Sequence, residues 1–418
     1  MIARLLFSSS SSFSLPSLQR SAVLAGLVAL AACGGSGPAA APVPALAAPA
    51  PASSGPVSVS VTEVARSLAS PWSLAFLPDG RMLVTERPGR LKLLAANGNI
   101  AGDISGVPAV LAEGQGGLLD VVLDPAFGSN RRIYLSFAQR DPDNAGINGT
   151  AVARAVLDAN TRTLSSVTVI YQQLPKVAST GHFGSRLVFD RAGHLFVTLG
   201  DRQLDSQRGF AQDLSRGNGK VARITTDGAP APGNPGWTAP GAQPAIWSYG
   251  HRNPQGAALN PGTGDLWTSE HGPQGGDEIN RPQAGRNYGW PLASRGQEYG
   301  TTTPVGTTSL PGMEEAAWVW EKIDGSAWTG GAKSSPAPAG MTFYSASAVP
   351  QWQGSLFVTS LAGTALWRLT LNGNTVIAQE RLLATRGERL RDVKQGPDGA
   401  LYLLTDDARN GKLLRYGL

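Results

Sequence analysis

The chain has 418 residues, 35 Lys and Arg against 30 Asp and Glu, 52 Gly, 30 Pro and one Cys. A single cysteine excludes internal disulfides, and no zinc-type His/Cys spacing, phosphate loop or dinucleotide fingerprint is present. Setting Arg4 and Arg20 apart leaves 33 basic against 30 acidic residues and no basic run, which argues against a nucleic-acid partner.

Residues 1–32 carry Arg4 and Arg20, no acid, and the apolar stretch Ala22–Ala32. That stretch is short for a membrane span and ends at small residues, so it reads as an export signal. The junction Leu30-Ala31-Ala32-Cys33-Gly34 resembles a bacterial lipobox. The resemblance implies that Cys33 becomes the lipidated first residue of an exported protein. Such a protein is held to a bacterial membrane by its lipid alone, on the periplasmic side. A buried free thiol is the alternative use of Cys33. Residues 33–56 are nearly all Ala, Pro, Gly and Ser, a tether composition that cannot build a core. One folded domain is expected over 57–418.

Across that domain one short phrase returns six times. It begins at a Gly-bearing or polar turn and runs apolar, then aromatic or Leu, then apolar or hydroxyl. The aligned positions are Met82, Ile133, Leu195, Leu266, Leu356 and Leu401. An apolar run precedes most copies, as in Leu74-Ala75-Phe76 before Pro78-Asp79-Gly80 and Leu187-Val188-Phe189 before Asp190. Asp-Gly and Asp-x-x-Gly turns between two apolar runs are hairpin chemistry. A third run follows several copies, as in Gly89–Leu94, Gly219–Ile224 and Gly411–Tyr416. No copy is large enough to bury its own faces, so the copies must share one core. The reading is all-β, a six-bladed β-propeller, ahead of a large sandwich or a β-helix, since sandwiches do not repeat in sequence.

Propellers place ligands at one mouth of the central channel, on loops leading into the innermost strands. Gln115 lies 18 residues before Ile133, His182 lies 13 before Leu195, and Arg252 lies 14 before Leu266. Arg389 and Arg391 lie 12 and 10 before Leu401, in the same phase. Of the four histidines, His194 falls in a repeat turn, His251 is placed to pack or cap a loop, and His271 sits beside Gly272-Pro273. A lone histidine serves packing as readily as chemistry, and only phase singles out His182 as a base. Three mouth arginines fit an anion, because guanidinium forks hold carboxylates in two-point contacts. Ion pairs with Glu388 and Asp392 are the plainer use of Arg389 and Arg391. The segment Glu270–Asn280 is rich in Gly and oxygen donors, a composition that suits Ca²⁺ and also suits an ordinary turn.

Particular stretches carry a resemblance. They are Gly114-Gln115-Gly116-Gly117-Leu118-Leu119, His182-Phe183-Gly184-Ser185-Arg186-Leu187 and Tyr249-Gly250-His251-Arg252-Asn253-Pro254-Gln255-Gly256. With them go Glu270–Asn280, Asn287-Tyr288-Gly289-Trp290-Pro291 and Arg389-Leu390-Arg391-Asp392-Val393. The domain resembles the soluble pyrroloquinoline quinone (PQQ)-dependent aldose sugar dehydrogenases, the glucose/sorbosone dehydrogenase group. The resemblance implies PQQ and Ca²⁺ as cofactors and an aldose as substrate. It implies oxidation at the anomeric carbon to a lactone, with the electrons passing on to a further, unidentified acceptor. His182 would be the general base, and Arg252 and Asn253 would contact the quinone oxygens. Arg389 and Arg391 would pair with cofactor carboxylates, and Gln115 would lie near the sugar. The carbonyls of Gly272 and Pro273 would hold the catalytic Ca²⁺, and Asp277, Glu278 and Tyr288 would bind further Ca²⁺.

Two positions depart from the group. Gly181 stands where glucose-oxidising members have Asp; the aldose-type relatives also have Gly there. Ala362-Gly363-Thr364 stands where a cofactor-binding Lys is expected. Two other classes stay open: a non-catalytic propeller that binds carbohydrate or protein, and a metal-dependent lactone hydrolase. The loops at 292–335 are expected to set substrate choice.

Overall fold

The computed structural model describes residues 58–418; the expected export signal, Cys33 and the expected tether lie outside the described residues. The described chain forms six four-stranded antiparallel sheets arranged as the blades of a propeller. Blade 1 comprises Pro71–Phe76, Met82–Glu86, Arg90–Leu94 and Ile100–Ile104, and blade 2 Leu118–Leu123, Arg132–Arg140, Asn148–Asp158 and Thr163–Gln172. Blade 3 comprises Leu187–Phe189, Leu195–Leu199, Lys220–Ile224 and Ile246–Tyr249, and blade 4 Pro254–Leu259, Leu266–Glu270, Asp277–Asn280 and Trp318–Trp320. Blade 5 comprises Pro338–Phe343, Leu356–Ser360, Leu366–Asn372 and Thr375–Leu382. Blade 6 comprises Leu390–Gln395, Leu401–Thr405 and Gly411–Gly417, and takes its outer strand, Ser60–Leu68, from the other end of the chain.

The first strand of each blade is innermost, and these strands pack against one another round the axis. They begin at one end of the channel, the mouth, where the second strands finish: Pro71 pairs with Glu86 and Leu390 with Thr405. The closing strand pairs Leu68 with Gly411 at the mouth end and Ser60 with Gly417 at the far end. Among the described residues no helix is long and apolar enough to cross a membrane.

The sixfold phrase is the second strand of each blade. Four of these strands, Met82–Glu86, Leu195–Leu199, Leu266–Glu270 and Leu356–Ser360, are buried at every residue. Blades pack face to face, so a middle strand is covered on both sides and has no reason to alternate. That is why the repeat reads as a continuous apolar run. The turn before it is built as the Asp-Gly signal requires. Gly80 adopts φ 85°, its N–H donates to the Leu77 carbonyl at 3.0 Å, and the Asp79 carboxylate accepts the Arg81 N–H at 3.0 Å.

A polar plug closes the channel below the mouth. Arg186, 1 % exposed, lies 3.5 Å from Asp120 and 3.1 Å from Asp392. Its Nε donates to the Gln255 carbonyl at 2.8 Å, and its guanidinium lies 4.0 Å over the Trp72 ring. Asp120 also accepts from Ser73 Oγ at 2.5 Å and from the Leu187 N–H at 2.7 Å, and Asp392 accepts from the Leu74 N–H at 3.3 Å. Inner strands of blades 1, 2, 3, 4 and 6 therefore meet on one ion cluster. Blade 5 makes room for it with Gly340, where a Cβ would overlap the Asp392 carboxylate.

Removing one member of a buried ion cluster leaves the others charged and unpaired. Arg186→Leu should therefore cost about 3–5 kcal/mol of unfolding free energy. Chemical denaturation followed by far-UV circular dichroism measures it. A loss below about 1 kcal/mol would show that the plug does not hold the blades.

Candidate active site

The mouth is assembled by one device used four times. A carboxylate at or just past the end of a second strand holds the segment that enters an inner strand. Glu86 accepts the Ala69 N–H at 2.7 Å ahead of blade 1. Asp201 binds His182 ahead of blade 3, Glu270 binds His251 and the Arg252 N–H ahead of blade 4, and Asp406 binds Arg389 and Arg391 at blade 6.

His182 is 4 % exposed, with Nδ1 2.7 Å from Asp201 Oδ1. Its backbone is left-handed, φ 45°, and its N–H donates to Gln115 Oε1 at 2.9 Å. Asp201 also accepts Trp290 Nε1–H and the Gln203 N–H, each at 2.8 Å. Burial would raise the Asp201 carboxyl, but the His182 hydrogen bond, then the charges of His182 and Arg252, hold it below the ordinary range. Ionised Asp201 accepts Nδ1–H and leaves Nε2 of the neutral ring as the free base. Burial, then the Arg252 charge, push His182 below its ordinary value of 6.5, against the upward pull of Asp201. Desolvation and like charge outweigh the carboxylate, so the ring is neutral at neutral pH.

Arg252 reaches over the loop after blade 4's second strand, donating to the carbonyls of His271 at 3.1 Å and Gly272 at 2.6 Å. It lies 5.2 Å from the Trp290 ring and 3.3 Å from the hydroxyl of Tyr299, whose ring is 66 % exposed. Arg252 Nε and Asn253 Nδ2 are buried without a hydrogen-bond partner. Asn253 Oδ1 accepts the Gly184 N–H at 3.2 Å, so its amide nitrogen is directed by a bond already made.

A cavity of about 360 Å³ adjoins these groups. Trp72, Arg87, Gln115, Gln255, His271 and Leu361 line it, with Ala337, Arg389, Arg391 and Asp406. Arg389 and Arg391 share one carboxylate: Arg389 reaches Asp406 Oδ2 at 2.8 Å and Arg391 reaches Oδ1 at 3.1 Å. The two arginines pull Asp406 down to about 2 although burial opposes them. The partners weighed from sequence are engaged elsewhere, Glu388 with Lys412 and Arg386, Asp392 with Arg186. The far end of the channel holds a larger opening of about 530 Å³, lined mainly by aliphatic and Phe side chains and thus without the groups for this chemistry.

The structure brings Gln115, His182, Arg252, Asn253, Arg389 and Arg391 to one mouth, with Gly272 and Pro273 beside them. It treats Asp277, Glu278 and Tyr288 differently. Asp277 accepts the Gly272 and Ala337 N–H groups, both at 2.8 Å, and Ser335 Oγ at 3.0 Å. With three donors on it, this carboxylate pins the loop, and burial raises it to about 7. Glu278 and Tyr288 face a separate small cavity with Glu314 and Glu315. Burial, then Glu270, push Glu278 up to about 8. Among the described residues no three His, Cys, Asp or Glu groups gather as a metal set.

Sequence phase passed over Asp201, Gln255, His271 and Arg87. Asp201, His271 and Arg87 follow the ends of second strands, so the repeat could have located them had exits been read as well as entrances. His182 is thus not the only mouth histidine: His271 lines the cavity, and its Nε2–H donates to the Pro338 carbonyl at 2.8 Å. Burial, then Arg252, hold His271 well below the ordinary value. At Gly181 an added Cβ would overlap the Gln203 amide, so Gln203 fills the space that a side chain there needs.

The His182–Asp201 geometry makes a testable statement. The acid limb of kcat/KM should fall below pH 6.5, and Asp201→Asn should move it lower and cut kcat by about 10²–10⁴-fold. A pH–rate profile of wild type and variant checks both; a limb above 6.5 would show that His182 is not the titrating base.

Residues 68–415 match the glucose/sorbosone dehydrogenase family. The chain is 44 % identical over 361 residues to the aldose sugar dehydrogenase YliI of Escherichia coli, covering 86 % of this chain and 92 % of the relative. The crystal structure of the soluble aldose sugar dehydrogenase from Escherichia coli in its apo form superposes with a TM-score of 0.79 at 43 % identity, covering 86 % of this chain and 99 % of that one. The PQQ-bound form of aldose sugar dehydrogenase from Streptomyces coelicolor gives 0.67 at 28 % identity, with the same coverage of 86 % and 99 %. The chain belongs to the glucose/sorbosone dehydrogenase family, as a sugar dehydrogenase with the six-bladed fold of its PQQ-type members.

Proposed function

We propose that this protein oxidises aldose sugars at the anomeric carbon to lactones, using PQQ and Ca²⁺. The carrying observation is a neutral, carboxylate-held His182 at the mouth of an arginine-lined cavity, with Arg252 Nε and Asn253 Nδ2 buried without acceptors just behind its lining residues His271 and Gln255. Buried unpaired donors are costly, so a site that keeps them asks for a ligand rich in acceptor oxygens. PQQ, with its quinone oxygens and carboxylates, meets that demand.

Arg252 and Asn253 would hold the quinone oxygens and stabilise negative charge that develops there. Arg389 and Arg391 would take carboxylates. The carbonyls of Gly272 and Pro273 would hold Ca²⁺, which supplies Lewis-acid polarisation. When bound, PQQ supplies the two-electron acceptor for the hydride of the anomeric carbon. His182 Nε2 takes the hydroxyl proton as that carbon becomes a carbonyl, and Asp201 stabilises the imidazolium through Nδ1–H. Trp290 and Gln203 keep Asp201 in place. Gln115 holds the backbone of His182 and faces the same cavity, where it would meet the sugar. Gly181 adds no acid to this end of the site beyond Asp201, which His182 itself engages, and this supports a range of aldoses. Glu278 and Tyr288 remain candidates for a structural Ca²⁺ of their own. We place the enzyme outside the cytoplasm, anchored through Cys33.

The intact protein should bind PQQ only with Ca²⁺ present and should then reduce a dye in the presence of aldoses. His182→Ala should still bind PQQ, while kcat falls about 10²–10⁴-fold with KM little changed. Wild-type turnover in that variant would remove His182 from the mechanism. A wild type that bound sugar and PQQ yet never reduced the quinone would leave a binding propeller. Separately, Cys33→Ser should move the protein from the membrane to the soluble fraction; unchanged retention would exclude the lipid anchor.

A further inference from the structure

Three guanidinium groups line the mouth cavity beside a single carboxylate, Asp406. Arg389 and Arg391 both bind Asp406. The third, Arg87, forms no salt bridge among the described residues. Its neighbour Glu86 is engaged with Arg90 at 2.7 Å. Arg87 is not a loose surface residue. Its N–H donates to the Ser70 carbonyl, and its own carbonyl accepts the Leu118 N–H, both at 3.1 Å. The residue is thereby clamped between the entrances of blades 1 and 2. Gly117 is bare where a Cβ would overlap the Arg87 carbonyl, so the close approach is built in. Of its side-chain nitrogens, Nη1 donates to the Gly114 carbonyl at 3.0 Å, while Nε is buried with no partner.

Three positive charges against one negative leave an excess of two in a partly desolvated cavity. Burial, above all, holds Arg391 below the usual guanidinium range, and Arg87 and Arg186 press in the same direction against Asp406. Like charges held this close persist in a rigid frame when a bound polyanion offsets them. The side of the cavity at Leu361, where the following Ala362-Gly363-Thr364 carries no cation, leaves such an anion one contact short.

We propose that Arg87 is a third anchor for the carboxylates of the bound cofactor, supplying from blade 1 the cation that the loop after Leu361 lacks. The inference rests on the PQQ reading above. The charge that matters is displaced round the mouth, from the blade 5 loop to the exit of blade 1's second strand.

Titration of the intact apo-protein with PQQ in the presence of Ca²⁺, followed by quenching of intrinsic fluorescence, gives the Kd. Arg87→Gln should raise it about tenfold to a hundredfold, the loss expected for one charge-assisted hydrogen bond. Arg87→Lys should recover part of the loss and flatten its salt dependence less. The trimethyl ester of PQQ, which lacks the carboxylate charges, should bind wild type and Arg87→Gln alike. In wild type, bound PQQ should protect Arg87 from dicarbonyl modification, read by mass spectrometry of its peptide; this arm stands even if Arg87→Gln fails to fold. Tight PQQ binding by wild type with an unchanged Kd in Arg87→Gln, or with Arg87 labelled as fast as in the apo-protein, would overturn the role of Arg87 alone. A wild type that does not bind PQQ would overturn this inference together with the function on which it rests.

Discussion

The ion cluster of Arg186, Asp120 and Asp392 ties together the inner strands that carry the mouth. A propeller has no central element, and its inner strands could splay without tying groups on the axis. Here one guanidinium with two carboxylates reaches inner strands of five blades, and the sixth yields space at Gly340. Full burial makes the cluster intolerant of partial loss, since either carboxylate left alone would be a buried charge. It is also directional. Fixed hydrogen-bond angles set the rotation of each inner strand, and with it where the preceding residue stands at the mouth. His182, four residues before Arg186, and Asn253, two before Gln255, inherit their places from this plug.

Above the plug the site is an exercise in charge placement. Carboxylates at the ends of second strands are each committed to an entrance segment, so none is left free to face a ligand. What faces the cavity is net positive: three arginines against the one carboxylate of Asp406, with a depressed His271 and the amides of Gln115 and Gln255. On the catalytic side the balance is finer. Asp201 pulls His182 toward protonation, while burial and Arg252 push it away and prevail. A ring that kept its proton could orient a sugar but could not accept from it. The same Arg252 that would hold an electron-accepting ligand thus also keeps the base empty.

The blades and their order were legible because the repeat marks the second strands, which are buried on both faces and so keep an apolar signature. Entrance residues were legible through phase, and Gln115, His182, Arg252, Arg389 and Arg391 do meet at one mouth. The exits were not read, although they follow from the same period, and Asp201, His271 and Arg87 were lost there. Partnership was harder still. Nothing in the local sequence distinguishes Asp406 from Asp392 or Glu388 as the acid for Arg389 and Arg391; only closure of the blade decides it. Asp277 shows a role that composition does not reveal: an acid in a Gly-rich loop suggests a metal ligand, and its oxygens also carry Gly272, Ser335 and Ala337.

The strand that closes blade 6 sets how the molecule can be held. Ser60 meets Gly417 at the end of the blade remote from the mouth. The described chain therefore begins at the far face, on the side of the aliphatic opening. An electrode or a bead coupled at Ser60 itself would sit a full strand length from the mouth and leave it open to solution.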